Sequence, residues 1–134
     1  MGETAVIRDA EALIALWVPR LGLEAWDISV KESETPSPDD ADRPFATRAE
    51  VLCDPTYEEA RITVFPAFAE ISEAQREAVI VHELAHCLME AQFDLTTALL
   101  DGKHVTADEA TRTNEYWTER VAKVLIRAWG HDRI

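Results

Sequence analysis

Apolar residues in the first third of the chain recur first with helical and then with strand spacing. In residues 9–20 they return every three or four positions, and Gly22 follows as a stop, which predicts an amphipathic helix. Residues 26–31 alternate apolar and polar side chains, which is typical of a half-buried strand. Residues 32–44 are rich in Ser, Thr, Pro and acidic residues, so we expect a segment at the surface of the domain.

Two further strands are predicted at residues 47–53 and 60–65. Both runs are rich in β-branched and other apolar residues, and Asp54 and Pro55 indicate a turn between them. The short separation is typical of an antiparallel hairpin.

The middle of the chain is predicted to be one helix that starts at Ser72 and Glu73. Good helix formers follow, and there is no Pro or Gly before Gly102. We expect this helix to be followed by a connecting stretch at residues 93–103, because Asp101-Gly102-Lys103 is a turn signal.

Thr106 and Glu109 form a capping-box pattern that starts the last predicted helix. This helix runs to about Trp129 before Gly130 ends it. Its predicted packing side carries Ala110, Asn114, Trp117, Thr118, Val121, Leu125 and Ala128. Its opposite side carries Arg120, Lys123 and Arg127.

The order of these elements predicts an α+β fold in a single domain of 134 residues. The domain would contain an N-terminal helix, a small antiparallel or mixed sheet of about three strands, the central helix and a long C-terminal helix.

A short histidine pattern lies within the central helix. His82, Glu83 and His86 form the motif His-Glu-x-x-His. A separation of four residues places the two imidazoles on one face of a helix, where both can bind one ion. Glu83 lies about 100° around the axis, where it can contact a water on the ion without being a ligand. The pattern therefore predicts a zinc hydrolase site.

Such a pattern also arises by chance on amphipathic helices, where histidines are packing residues. The flanking positions favour the zinc interpretation, because burying imidazoles among apolar side chains is unfavourable without a partner. These apolar flanks are Val79, Ile80, Val81, Leu84, Ala85, Leu88 and Met89. Cys87 follows His86 directly but points about 100° away, so we interpret it as a packing residue.

A catalytic zinc ion needs a third protein ligand and an open position for water. The downstream candidates are His104, His131, Glu115 and Glu119. His104 lies in a turn and His131 in a short tail, whereas the two glutamates lie one turn apart on a helix. We favour Glu115 as the ligand, because it lies nearer the apolar side, and Glu119 as a hydrogen-bond acceptor for a ligand histidine. The reverse assignment, and two solvent-facing acids, remain alternatives.

The two motifs together resemble the gluzincin metallopeptidases, whose third ligand is a helical glutamate. The residues that carry the resemblance are His82-Glu83-x-x-His86 and the later Asn114-Glu115-Tyr116-Trp117-Thr118-Glu119. The small size and element order are similar to compact zincin-like metallopeptidase domains of bacterial and phage genomes. The spacing from His86 to Glu115 is longer than in thermolysin-like enzymes, and we expect a single lobe.

The resemblance implies a zinc-dependent peptidase that acts on a peptide or protein substrate. Zinc would lower the pKa of a bound water and polarise the scissile carbonyl, and Glu83 would accept the water's proton. The run 62–65 is a candidate edge strand for pairing with an extended substrate, or else a core strand. An oxyanion donor is not evident, and Tyr57, His104 and His131 are candidates. The alternative function is a zinc-binding regulatory or interaction domain without hydrolytic activity.

Charge and composition restrict the partners. The chain has 26 acidic and 13 basic side chains, a formal net charge of −13, which disfavours nucleic acid and anionic membranes as partners. A third hypothesis, an acidic module that mimics nucleic acid, follows from the charge alone. The N-terminus lacks the order of a signal peptide, no window is apolar enough for a membrane span, and two cysteines fit a reducing compartment, so we expect a cytoplasmic protein.

Overall fold

A computed structural model describes residues 3–129 of the chain. Within these residues the helices and strands are α1 (Ala5–Trp17), β1 (Asp27–Glu32), β2 (Ala49–Asp54), β3 (Glu59–Val64), α2 (Pro66–Ala69), α3 (Glu73–Leu100) and α4 (Ala107–Trp129). The acidic segment between β1 and β2 is largely exposed, as expected, and contains a short 3-10 helix at Pro38–Asp42. The predicted α+β class with a small three-stranded mixed sheet is confirmed.

The three strands form one sheet in the order β1-β3-β2. β1 runs parallel to β3, and β2 runs antiparallel to it with Val51 opposite Ile62, which confirms the predicted hairpin. Of the two interpretations of residues 62–65, the edge strand is wrong and the core strand is confirmed, because β3 lies between the other two strands. Ile62 and Val64 are fully buried, as in a core strand. The edges of the sheet are β1 and β2.

One face of the sheet is covered by helices. In β3, Ala60 and Ile62 are buried while Arg61 between them is exposed, because successive side chains point to opposite faces. The helices α1 and α3 pack against each other, α1 also against β1 and α3 also against β2. The indole N–H of Trp17 donates to Glu77 at 3.0 Å, and this contact ties the end of α1 to the first half of α3.

α3 begins where predicted but extends further than expected. The Ser72 hydroxyl accepts the Gln75 N–H at 3.2 Å, and the Gln75 side chain accepts the Ser72 N–H at 3.0 Å, a complete capping box. The helix continues through residues 93–100, which we expected to lie outside it, since no Pro or Gly interrupts them. It ends before Gly102, whose φ of +74° is the left-handed conformation that favours glycine.

α4 begins at the predicted capping residue. The Thr106 hydroxyl accepts the backbone N–H of Glu109 at 3.1 Å, and the helix continues to Trp129. The predicted stop at Gly130 lies outside the described residues. None of the helices in residues 3–129 is both long and apolar enough to cross a membrane.

The packed side of α4 includes Trp117, as predicted, but is rotated towards two of the arginines. Arg120, expected to face away from the domain, donates to the Gly22 carbonyl at 2.6 Å and to the Glu58 carboxylate at 3.2 Å. Arg127 pairs with Glu24 at 2.7 Å. The loop before β1 and the turn before β3 thus offer oxygen acceptors to the two arginines, and the helix is turned so that its basic residues reach them.

Candidate metal centre

The two histidines of the motif lie side by side on α3. The centroids of the His82 and His86 rings are 4.9 Å apart, and the ring planes meet at 84°. Both side chains are exposed on the helix surface, so the expectation that the imidazoles are buried among the apolar flanks is wrong; of the three motif residues, only Glu83 is buried. Partial burial and the neighbouring His82 lower the pKa of His86, which favours the neutral imidazole. Neutral imidazole is the form that binds metal ions. The short distance between the rings means that the helix brings the two predicted ligands together.

Glu83 is the buried acid of the motif. Its side chain points between α3 and the sheet, and only 7% of the residue is exposed. Burial, and secondarily the charge of Glu50 on β2, raise the pKa of Glu83 to about 7. A carboxyl group that titrates near neutral pH can both accept and release a proton, which suits a general base.

Glu83 lines two cavities, one beside β2 and one beside the segment that leads into β2. The first, of about 710 Å³, is lined by Glu83 and His86 from α3 and by Ala49 and Val51 from β2. The second, of about 560 Å³, is lined by His82 and Glu83 together with the segment that leads into β2. The motif therefore opens onto a cleft between α3 and the edge strand β2.

The buried acid predicts a pH-dependent stability of the metal-free protein. Because the pKa of Glu83 is raised to about 7 in the folded state, the folded chain keeps a proton that the unfolded chain loses near its ordinary value of 4.5. Stability from this group is complete below about 4.5 and is lost as the pH rises to about 7. Compared with the parent, Glu83→Gln should therefore gain about 1–3 kcal/mol in unfolding free energy between pH 4.5 and 8.

Urea unfolding of the metal-free parent and of the Glu83→Gln variant across this pH range measures the difference. A difference between the two proteins that stays constant from pH 4.5 to 8 would contradict the assigned burial of the carboxyl group.

The predicted third ligand is not brought to the histidines. Glu115 and Glu119 are both exposed on α4, and Glu119 lies 3.7 Å from Lys123 on the same helix. The expectation that Glu115 points inward is wrong: counted at about 100° per residue, it lies nearly opposite the packed residues Trp117 and Arg120. Within residues 3–129 no group of three or more His, Cys, Asp and Glu side chains converges as a metal site. The role of Glu115 as a ligand stays a prediction.

The remaining candidates for ligand or oxyanion donor are distant in the fold or undescribed. His104 is exposed in the connection between α3 and α4, and Tyr57 is 74% exposed in the turn between β2 and β3. His131 lies outside the described residues. None of these positions within the described part of the chain lines either of the two cavities beside Glu83.

Two features of the site were not identified from the sequence. The negative charge of Glu50, on the facing strand, acts on Glu83; this could be recognised only once β2 was known to be the strand beside the motif.

The second feature is a contact between the two cysteines. Cys87 is fully buried, as expected for a packing residue, but its sulfur lies 3.5 Å from that of Cys53 on β2. The hydrogen bond between the two thiols, together with burial, raises the pKa of Cys87. The sequence contains one signal for this contact, because alternation along β2 places Val51 and Cys53 on the same face of the sheet.

Comparisons with protein-family models, with curated proteins and with solved structures find no match to this chain. The resemblance to gluzincins therefore rests on the two motifs and on the order of the elements.

Proposed function

We propose that this protein is a zinc-dependent peptidase of zincin-like fold. One observation carries the proposal: the His82 and His86 rings lie next to each other on α3, and the buried Glu83 opens beside them onto a cleft along an edge strand. The buried acid is the unusual member of this group, because a carboxyl group is costly to remove from water.

The donor atoms at this face fit zinc. Two imidazoles suit a borderline-soft ion better than magnesium or calcium, which prefer oxygen ligands. When bound, zinc supplies a Lewis acid that polarises a carbonyl and lowers the pKa of water. His82 and His86 would hold it, and the third ligand remains the α4 glutamate predicted above. Since no third donor converges with the histidines within residues 3–129, that ligand requires α4 to lie differently in the zinc-bound protein.

Glu83 is the residue to which we assign the proton transfers. Its carboxylate would accept a proton from the attacking water and donate it to the nitrogen of the leaving amine, so that the same group acts first as base and then as acid. Its buried position restricts the side chain, which would keep it directed at the cleft.

The substrate is proposed to bind as an extended peptide along β2. In the order β1-β3-β2, β3 occupies one side of β2, so its other side has backbone donors and acceptors for a further strand. β2, and not the run 62–65, is therefore the edge strand to which we assign this role. The cavity of about 710 Å³ that continues from Glu83 is large enough for substrate side chains.

The third ligand gives a separate prediction. If Glu115 binds zinc and Glu119 orients a ligand histidine, Glu115→Gln should weaken zinc binding by more than about 100-fold and Glu119→Gln by about tenfold. Competition titration with a zinc chelator measures both affinities. A larger loss of zinc affinity in Glu119→Gln than in Glu115→Gln would identify Glu119 as the ligand. Parent-like zinc affinity in both variants would show that neither glutamate of α4 is the third ligand.

Cleavage of a broad peptide library tests the function itself. The zinc-loaded protein should cleave peptides, a strong chelator should abolish the cleavage, and added zinc should restore it. Stoichiometric zinc without any cleavage would overturn the proposal. It would favour a zinc-binding domain that hydrolyses nothing, which is consistent with the absence of a third converging ligand within residues 3–129.

A further inference from the structure

The two cysteines of the chain meet although they are 34 residues apart in sequence. Cys53 lies on β2 and is half-buried, while Cys87 lies on α3 and is fully buried. Their sulfur atoms are 3.5 Å apart, in hydrogen-bond contact, and both thiols are free. This contact joins the only pair of cysteines that the sequence contains.

The backbone on both sides of this contact is held in place. Cys53 pairs with Ala60 in the hairpin, and Cys87 belongs to the hydrophobic core between Leu84 and Leu88. A disulfide bond has a sulfur separation of about 2.05 Å. At 3.5 Å the two sulfur atoms are already in contact, so a disulfide between them joins groups that the fold holds side by side.

We propose that Cys53 and Cys87 form a reversible disulfide that links β2 to α3 when the protein meets a low-molecular-weight disulfide such as oxidised glutathione. The half-buried Cys53 sulfur attacks one glutathione sulfur and loses its proton, and the other glutathione leaves as a thiol. The Cys87 sulfur then attacks the Cys53 sulfur, loses its proton and expels the second glutathione thiol. Two protein thiols and one glutathione disulfide thus become one protein disulfide and two glutathione thiols.

The position of the bond gives it a consequence for the cleft. Val51, two residues before Cys53, and His86, directly before Cys87, line the same cavity from opposite sides. A covalent link between β2 and α3 at this point fixes the separation of the two walls. The inference does not depend on zinc or on peptide cleavage, since it concerns the thiols alone.

Equilibration of the full-length chain in glutathione buffers tests the proposal. Zinc is first removed with a chelator, the reaction is quenched with acid, and mass spectrometry counts protein disulfide and glutathione adducts. The folded protein should lose two hydrogens per chain without adding glutathione. Its equilibrium constant for disulfide formation should exceed that of the same chain in urea by about 100-fold, because folding holds the two sulfurs together.

Single-cysteine variants and unfolding complete the test. Cys87→Ser should give only a mixed disulfide at the half-buried Cys53, whereas the fully buried Cys87 that remains in folded Cys53→Ser should add no glutathione. The oxidised parent should unfold at a higher urea concentration than the reduced parent, an increase that dithiothreitol reverses. Covalent dimers, a persistent glutathione adduct on the folded parent, or equal equilibrium constants in buffer and in urea would each overturn the proposal. Because the parent itself is measured, the conclusion does not require that the Cys87 variant folds.

Discussion

Replacement of Glu83 by Gln is expected to lower kcat/KM for peptide cleavage by about 10²–10⁴-fold while zinc remains bound. The amide has nearly the same shape as the carboxyl group, so the buried site beside β2 should stay intact. It cannot accept the proton of the attacking water, however, and the step that we assign to Glu83 is lost. Steady-state cleavage of a peptide from the library screen, with the zinc content of each sample, measures the effect.

A matched control is available on the same helix. Glu73 is exposed in the first turn of α3 and does not line either cavity beside the motif. Glu73→Gln makes the same chemical change at a site remote from the cleft, so its kcat/KM should stay close to that of the parent. Equal activity in the parent and the Glu83 variant would show that Glu83 is not the base.

Replacement of His86 by Ala is expected to weaken zinc binding by more than about 100-fold, since loss of a group that merely supports a ligand costs 10–100-fold. The His86 side chain is exposed, so its truncation should leave the core and the unfolding midpoint of the metal-free protein largely unchanged. His82→Ala should behave alike, because the two rings stand 4.9 Å apart on one helix face. Zinc titration monitored by calorimetry measures these affinities.

The remaining described histidine outside the motif serves as the comparison for this experiment. His104 is exposed in the connection between α3 and α4, and it is not near the imidazole pair in the fold. His104→Ala should therefore bind zinc as the parent does. Parent-like affinity in His86→Ala would show that the ion binds elsewhere.

The local features of this protein could be predicted from its sequence because they depend on neighbours along the chain. The capping residues Ser72 and Thr106 determine where α3 and α4 begin, and both helices begin as expected. The spacing of four residues brings His82 and His86 together in any α-helix. The hairpin follows from two apolar runs around the turn at Asp54.

The features that were missed depend on contacts between distant residues. The hydrophobic run of β3 fits a central strand and an edge strand equally well, and its central place results from pairing with β1 as well as β2. The rotation of α4 depends on Arg120, which reaches Gly22 and Glu58, residues 98 and 62 positions away. Periodicity treats a partly buried arginine as a polar residue, so it placed Arg120 on the exposed side of α4 and turned Glu115 inward.

X-ray absorption at the zinc edge, recorded on the protein loaded with one equivalent of zinc, tests the proposed centre most directly. Our account predicts two imidazole nitrogens at about 2.0–2.1 Å from the ion, with oxygen donors completing the coordination. A sulfur ligand at about 2.3 Å, which would indicate Cys53 or Cys87, or fewer than two imidazoles would contradict it.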